Sequence, residues 1–95
     1  MTIRLTKPAQ HDIYRIAVEG LERFGAHQLA KYEVGLNNRL LFLSDYPHAA
    51  TEHREYNPPV RIYPYEAHII IFEVIDGDVV VLRICHSRED WTRFV

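Results

Sequence analysis

The pair Asp76-Gly77 constrains this chain more than any other two residues. Asp-Gly supplies the two positive φ angles of a type I′ turn. It also separates two β-branched runs, HIIIFEVI (68–75) and VVVLRIC (79–85). Together these predict an antiparallel hairpin, and so exclude an all-helical fold. A two-residue turn sets partner numbers that sum to 153, pairing Val74 with Val79, Phe72 with Val81, Ile70 with Arg83 and His68 with Cys85. The opposite face then carries Ile69, Ile71 and Glu73 with Val80, Leu82 and Ile84. A slip of one residue would exchange the two faces.

Upstream the period is different. Thr2 to Thr6 alternates, with Ile3 and Leu5 on one side, and predicts a short strand. Thr6 suits a helix N-cap and Pro8 the first helical turn. Ala9, Ile13, Ile16, Ala17, Gly20, Leu21 and Phe24 then recur at three and four. That is one apolar helical face, with Asp12, Arg15, Glu19, Glu22 and Arg23 placed elsewhere. Gly25 ends the pattern as a C-terminal cap. A second helix is predicted from Ala26 to about Tyr46, with Leu29, Tyr32, Leu36, Leu40 and Leu43 as its stripe. So short a connection makes the two helices an antiparallel hairpin. Gly35 inside it is either tolerated or marks a close approach to the first helix near Gly20. Residues 47–59 carry Asn57, Pro58 and Pro59 and read as a loop, followed by a strand from Val60 to Tyr63 that Pro64 ends. The tail from Ser87 holds Trp91 and Phe94 and fits one helical turn. The predicted architecture is α+β, ordered β-αα-βββ, with the helical hairpin packed on a mainly antiparallel sheet. It forms a single domain over residues 1–95.

Charge and cysteine content narrow the function. With 11 Lys plus Arg against 13 Asp plus Glu, the net charge is −2 with His neutral. A protein that grips nucleic acid through phosphates carries excess positive charge, so generic nucleic-acid binding is not expected. The single cysteine, Cys85, rules out an internal disulfide and predicts a reducing, cytoplasmic setting. No signal-peptide pattern and no apolar run of membrane-spanning length occurs.

The sequence has no glycine-rich phosphate loop, no G-x-S-x-G and no H-E-x-x-H. His48 and His53, with Glu52 and Glu55, match no metal-ligand spacing and read as solvated polar residues, so no metal or cofactor is expected. Cys85 reads as a small buried side chain, because His86 beside it on a strand points to the opposite face. The densest polar group is Arg83, His86, Arg88 and Asp90 at a strand end, with Arg61 from an earlier strand. Arginine for phosphate and histidine for proton transfer would suit RNA cleavage. The plainer alternative is an Arg88–Asp90 surface ion pair with His86 capping the strand.

Three segments carry a resemblance. They are Arg61-Ile62-Tyr63, Tyr65-Glu66-Ala67-His68-Ile69-Ile70-Ile71-Phe72, and the ending L-R-I-C-H-S-R-E-D-W from Leu82 to Trp91. With the N-terminal T-K-P-A and Asp12-Ile13, they resemble the ParE branch of the ParE/RelE toxin superfamily across nearly the whole chain. The resemblance implies the RelE/ParE-like fold and the toxin of a type II toxin–antitoxin module. RelE-like members cut mRNA on the ribosome, whereas ParE-like members act on DNA gyrase. Charge favours the second: residues 51–95 hold five basic and eight acidic groups and no lysine. No catalytic residue is then expected. A nuclease reading would use Arg61, Arg83, His86 and Arg88. Target contacts under the gyrase reading would come from Arg83, His86, Arg88 and Trp91. The resemblance also implies a cognate ParD-like antitoxin. It would dock in an apolar groove lined by some of Tyr14, Val18, Tyr32, Phe42 and Tyr46. The rival from another class is a non-toxic binding module of the same fold.

Overall fold

A computed structural model describes residues 2–94. The elements run β1 (Ile3–Leu5), α1 (Lys7–Asp45), a 3₁₀ turn (Pro47–Ala49), β2 (Thr51–His53), β3 (Val60–Tyr65), β4 (His68–Ile75), β5 (Asp78–His86) and a second 3₁₀ turn (Trp91–Phe94). The five strands form one sheet in the order β1-β5-β4-β3-β2, parallel between β1 and β5 and antiparallel elsewhere.

The helical span α1 folds back on itself at Gly25. A straight helix of 39 residues would be about 58 Å long, yet the longest extent of the protein is 38 Å. Gly25 sits at φ 83° and ψ 169°, a conformation open essentially only to glycine, and divides α1 into two arms. Thr6 caps the first arm as expected, its Oγ1 accepting the Ala9 N–H at 3.2 Å. The arms cover one face of the sheet. Ile16, Leu36, Leu40 and Leu43 pack there against Ile70, Phe72, Val79, Val81 and Ile84. A smaller cluster on the other face joins Val60, Ile69, Ile71 and Cys85 to Leu82, Trp91 and Phe94.

The hairpin turn is as predicted, with Asp76 and Gly77 both at positive φ. Partners sum to 153 from Ile75–Asp78 through Phe72–Val81. A β-bulge then inserts Leu82, and the register moves by one residue: Ile71 faces Arg83, Ile70 faces Ile84 and His68 faces His86. The pairs expected for Ile70 and His68 are therefore each one residue off. Ile84 turns to the helices and Cys85 away from them, the reverse of the expected faces.

Other expectations change as well. Residues 47–59 are not all loop: Thr51–His53 forms a fourth late strand at the sheet edge, paired with Val60–Ile62. Pro64 does not end β3, which continues to Tyr65 with Pro64 opposite Ile69. Leu21 and Phe24 leave the core stripe and stand 53% and 61% exposed near the tip of the hairpin. Asp12, placed on the polar side by its neighbours, is instead buried. Gly35 makes its close approach to β3 rather than to the first arm, since a Cβ there would collide with the Tyr65 hydroxyl.

Candidate functional site

Two polar constellations sit along β5, one where it passes the start of the helix and one at its far end. The first is built by the strand-to-helix segment. Among the described residues β1 pairs with β5 only from Val79 to Val81, so beyond that point this edge of β5 has no strand neighbour there. Two side chains take its place. Thr6 donates its hydroxyl to the Leu82 carbonyl at 2.8 Å. Asp12 accepts the Ile84 N–H at 2.9 Å and the Arg83 guanidinium at 2.7 and 2.8 Å. Arg15 adds a contact to Asp12 at 3.3 Å. The bulge is thereby held at three consecutive residues from one short segment. Burial pushes the Asp12 carboxyl up, but the hydrogen bonds from Arg83 and Ile84 and the Arg83 charge outweigh it and hold it below the usual range. The Arg83 guanidinium also lies 4.0 Å over the Phe94 ring.

The second constellation lies at the end of the sheet, beneath the tip of the helical hairpin. His68 and His86 face each other across β4 and β5, with ring centroids 5.6 Å apart. The Tyr32 hydroxyl meets His68 Nδ1 at 2.8 Å. The Tyr65 hydroxyl donates to the Tyr32 carbonyl at 3.1 Å. His86 Nδ1 accepts the Arg88 N–H at 3.1 Å. Burial, then the neighbouring His86 and Arg15, hold His68 below the ordinary histidine range, so it is neutral at pH 7. Burial chiefly raises the Tyr32 phenol, which keeps its proton. These side chains line an open cleft of about 610 Å³ whose walls also include Arg23 and Lys31.

Of the residues named for RNA cleavage, Arg83, His86 and Arg88 follow one another at the end of β5. Arg61 is not with them: its guanidinium binds the Ala50 carbonyl at 2.9 Å and Glu52 at 3.4 Å, near β2. Arg88 forms no ion pair with Asp90 among the described residues, and Asp90 instead accepts from Thr92. Trp91 packs against the second cluster, with Tyr56 and His53 rings at 5.7 and 5.5 Å. Of the proposed groove residues, Tyr14, Val18 and Tyr46 are 73%, 40% and 61% exposed. Tyr32 and Phe42 instead pack against the core. Among the described residues no group of three or more His, Cys, Asp or Glu could hold a metal. Among the same residues no helix is long and apolar enough to cross a membrane.

Sequence reasoning missed Asp12 and the Tyr32–His68 pair. The signal for Asp12 was its place six residues after Thr6, both at the strand-to-helix junction. The signal for His68 was its position opening the strand that pairs with the one ending in His86.

Comparison with known proteins agrees with this architecture. A chain in the solved structure titled "Chromosomal ParDE TA system from P. aeruginosa" superposes with a TM-score of 0.76 at 19% sequence identity, covering 90% of this chain and 95% of that one. No curated protein matches this sequence. The sequence profile of the ParE toxin of type II toxin–antitoxin system, parDE, matches residues 3–91. This chain therefore belongs to the ParE toxin family of type II toxin–antitoxin systems.

Proposed function

We propose that this ParE-type toxin inhibits DNA gyrase in the cytoplasm and is neutralised by a cognate ParD-like antitoxin. The observation that carries the gyrase reading over RNA cleavage is the engagement of the sheet's arginines inside the protein. Arg83 is bound twice by buried Asp12, and Arg61 is held by Ala50 and Glu52. A ribosome-dependent nuclease needs such cations free for phosphates. The sheet half also carries three more acidic than basic groups, so nothing replaces them. In this reading the toxin has no catalytic residue and acts by binding one state of the gyrase–DNA complex more tightly than the others. Arg88 and His86 remain candidates for target contact. Trp91, partly buried against the second cluster, would contribute through the part that this packing leaves uncovered.

The antitoxin reading is supported by the outer side of the helical hairpin. Tyr14, Val18 and Leu21 stand at i, i+4 and i+7 on the first arm, all at least 40% exposed. Val34 and Leu41 stand seven apart on the second arm and are likewise exposed. Apolar rows on the solvent side of a helix mark a surface that a partner covers. With purified gyrase, the protein should lower supercoiling and accumulate cleaved DNA. Arrest of translation with gyrase untouched would sink the gyrase reading. Combined substitution of Tyr14, Val18 and Leu21 by serine should weaken capture of the module's own antitoxin by at least about tenfold. Unchanged capture would remove this face from the interface.

A further inference from the structure

We infer that the cleft beneath the hairpin tip is an oxyanion-binding site whose two central donors are the Nε2–H groups of His68 and His86. The argument is one of tautomers. His86 Nδ1 accepts a backbone N–H, that of Arg88, and so must carry a lone pair. In the neutral ring the proton then sits on Nε2. His68 Nδ1 is met by the Tyr32 hydroxyl, which is protonated and has no other acceptor among the described residues. A phenol is the stronger acid and an imidazole nitrogen the stronger base, so Tyr32 donates and His68 also carries its proton on Nε2. Tyr65 fixes the backbone of Tyr32 from the other side.

Both Nε2–H groups lack a partner among the described residues. No buried side-chain nitrogen or oxygen among these residues is left unpaired, so both atoms are open to solvent. The strand register sets the two rings directly opposite one another on the wall of one cleft. The rings stand edge to face with centroids 5.6 Å apart, close enough for donors on both to reach one acceptor with two oxygens on a single centre, a carboxylate or a phosphate. Arg23 and Lys31 line the same cleft and form no ion pair among the described residues, so they are free to add charge. Two carboxylates, Glu19 and Glu66, also line it, and Arg15 draws Glu19 aside at 3.9 Å. The same tautomers exclude two other uses. A metal would need the Nε2 lone pair, and a general base would need it too. This inference does not rest on the gyrase reading, and it shares only His86 with the proposed target contacts.

The test is nitrogen-resolved NMR of the histidine rings in the intact protein at neutral pH. Both rings should show the Nε2–H tautomer. Titration with inorganic phosphate and, separately, acetate at constant ionic strength should shift both signals along one saturating curve. Saturation by phosphate alone assigns a phosphate site, and saturation by both assigns a general oxyanion site. His68→Ala and His86→Ala should each weaken binding about tenfold. Tyr32→Phe keeps the ring and the packing but frees His68 to mix tautomers, and should weaken binding less. An Nδ1–H tautomer on either ring overturns the proposal without any variant. So does a response that never saturates, or one that persists unchanged when His86 is removed.

Discussion

Asp12 offers one carboxylate to four donors: two from Arg83, the Ile84 N–H and Arg15. Its side chain is 3% exposed, but Arg83 and Arg15 are 24% and 44% exposed, so on truncation water reaches the two guanidiniums and not the buried Ile84 N–H. Asp12→Ala leaves the half-buried Arg83 guanidinium and the buried Ile84 N–H without their acceptor. It should cost about 3–5 kcal/mol in urea unfolding. Arg83→Ala strands the carboxylate instead and should fall in the same range. A loss under about 1 kcal/mol for both would show that the pair adds nothing to stability. Cys85 makes a second residue-level prediction. It is fully buried, and burial, joined by the Asp12 charge, pushes its thiol up to about 11. The native protein should therefore resist thiol alkylation at mildly alkaline pH and react at the free-cysteine rate only when unfolded.

Within the elements, the helical hairpin hinges on Gly25 and the last hairpin on its bulge. Gly25→Ala places a side chain where φ is 83°, and should destabilise by about 1–3 kcal/mol with no clash to blame, since nothing lies within 4 Å of an added Cβ. Equal stability of this variant and the wild type would mean that the arms reconnect another way. These elements also show what could be read in advance. The turn at Asp76-Gly77, the break at Gly25 and the Thr6 cap were legible because each depends on a few adjacent residues. The bulge was not, because Leu82 fits a strand as well in register as out of it. What displaces it is the grip of Thr6 and Asp12, more than seventy residues away in sequence. Asp12 was misplaced for the same reason: periodicity sees its helix, not the bare edge of β5. The edge strand Thr51–His53 lacks the β-branched pattern and is made by pairing with β3 alone. In the site, His86 was found from its polar neighbours. His68 was passed over because it reads as the first residue of an apolar strand.

For the molecule as a whole, these groups give acid stability two separate stages. His68 binds its proton more weakly folded than unfolded, so stability is intact above the ordinary histidine value of 6.5 and declines as pH falls below it. Asp12 holds its proton less tightly folded than unfolded. Its contribution is present above the ordinary carboxylate value of 3.8 and is lost as pH falls through the lower folded value. Urea midpoints measured against pH should show both declines. His68→Gln should flatten the first, and Asp12→Asn should reduce the second, to which Glu52 and Asp78 also contribute, each leaving the other slope in place. The outer apolar rows behave oppositely. Serine at Tyr14, Val18 and Leu21 should change the stability of the free toxin by no more than about 0.5 kcal/mol each, because those side chains are exposed already.

The strand order has a consequence in time. β1 pairs only with β5, so the third to fifth residues made must wait for residues 79–81 before they have a neighbour. At roughly 5–20 residues per second, that wait lasts several seconds of synthesis. The bulge clamp waits with it, since Thr6 and Asp12 are made early and their partners late. A nascent chain therefore carries the residues of both helical arms, apolar rows included, before the sheet that packs against them can close. An antitoxin that recognises those rows would meet its toxin while the toxin is still being made.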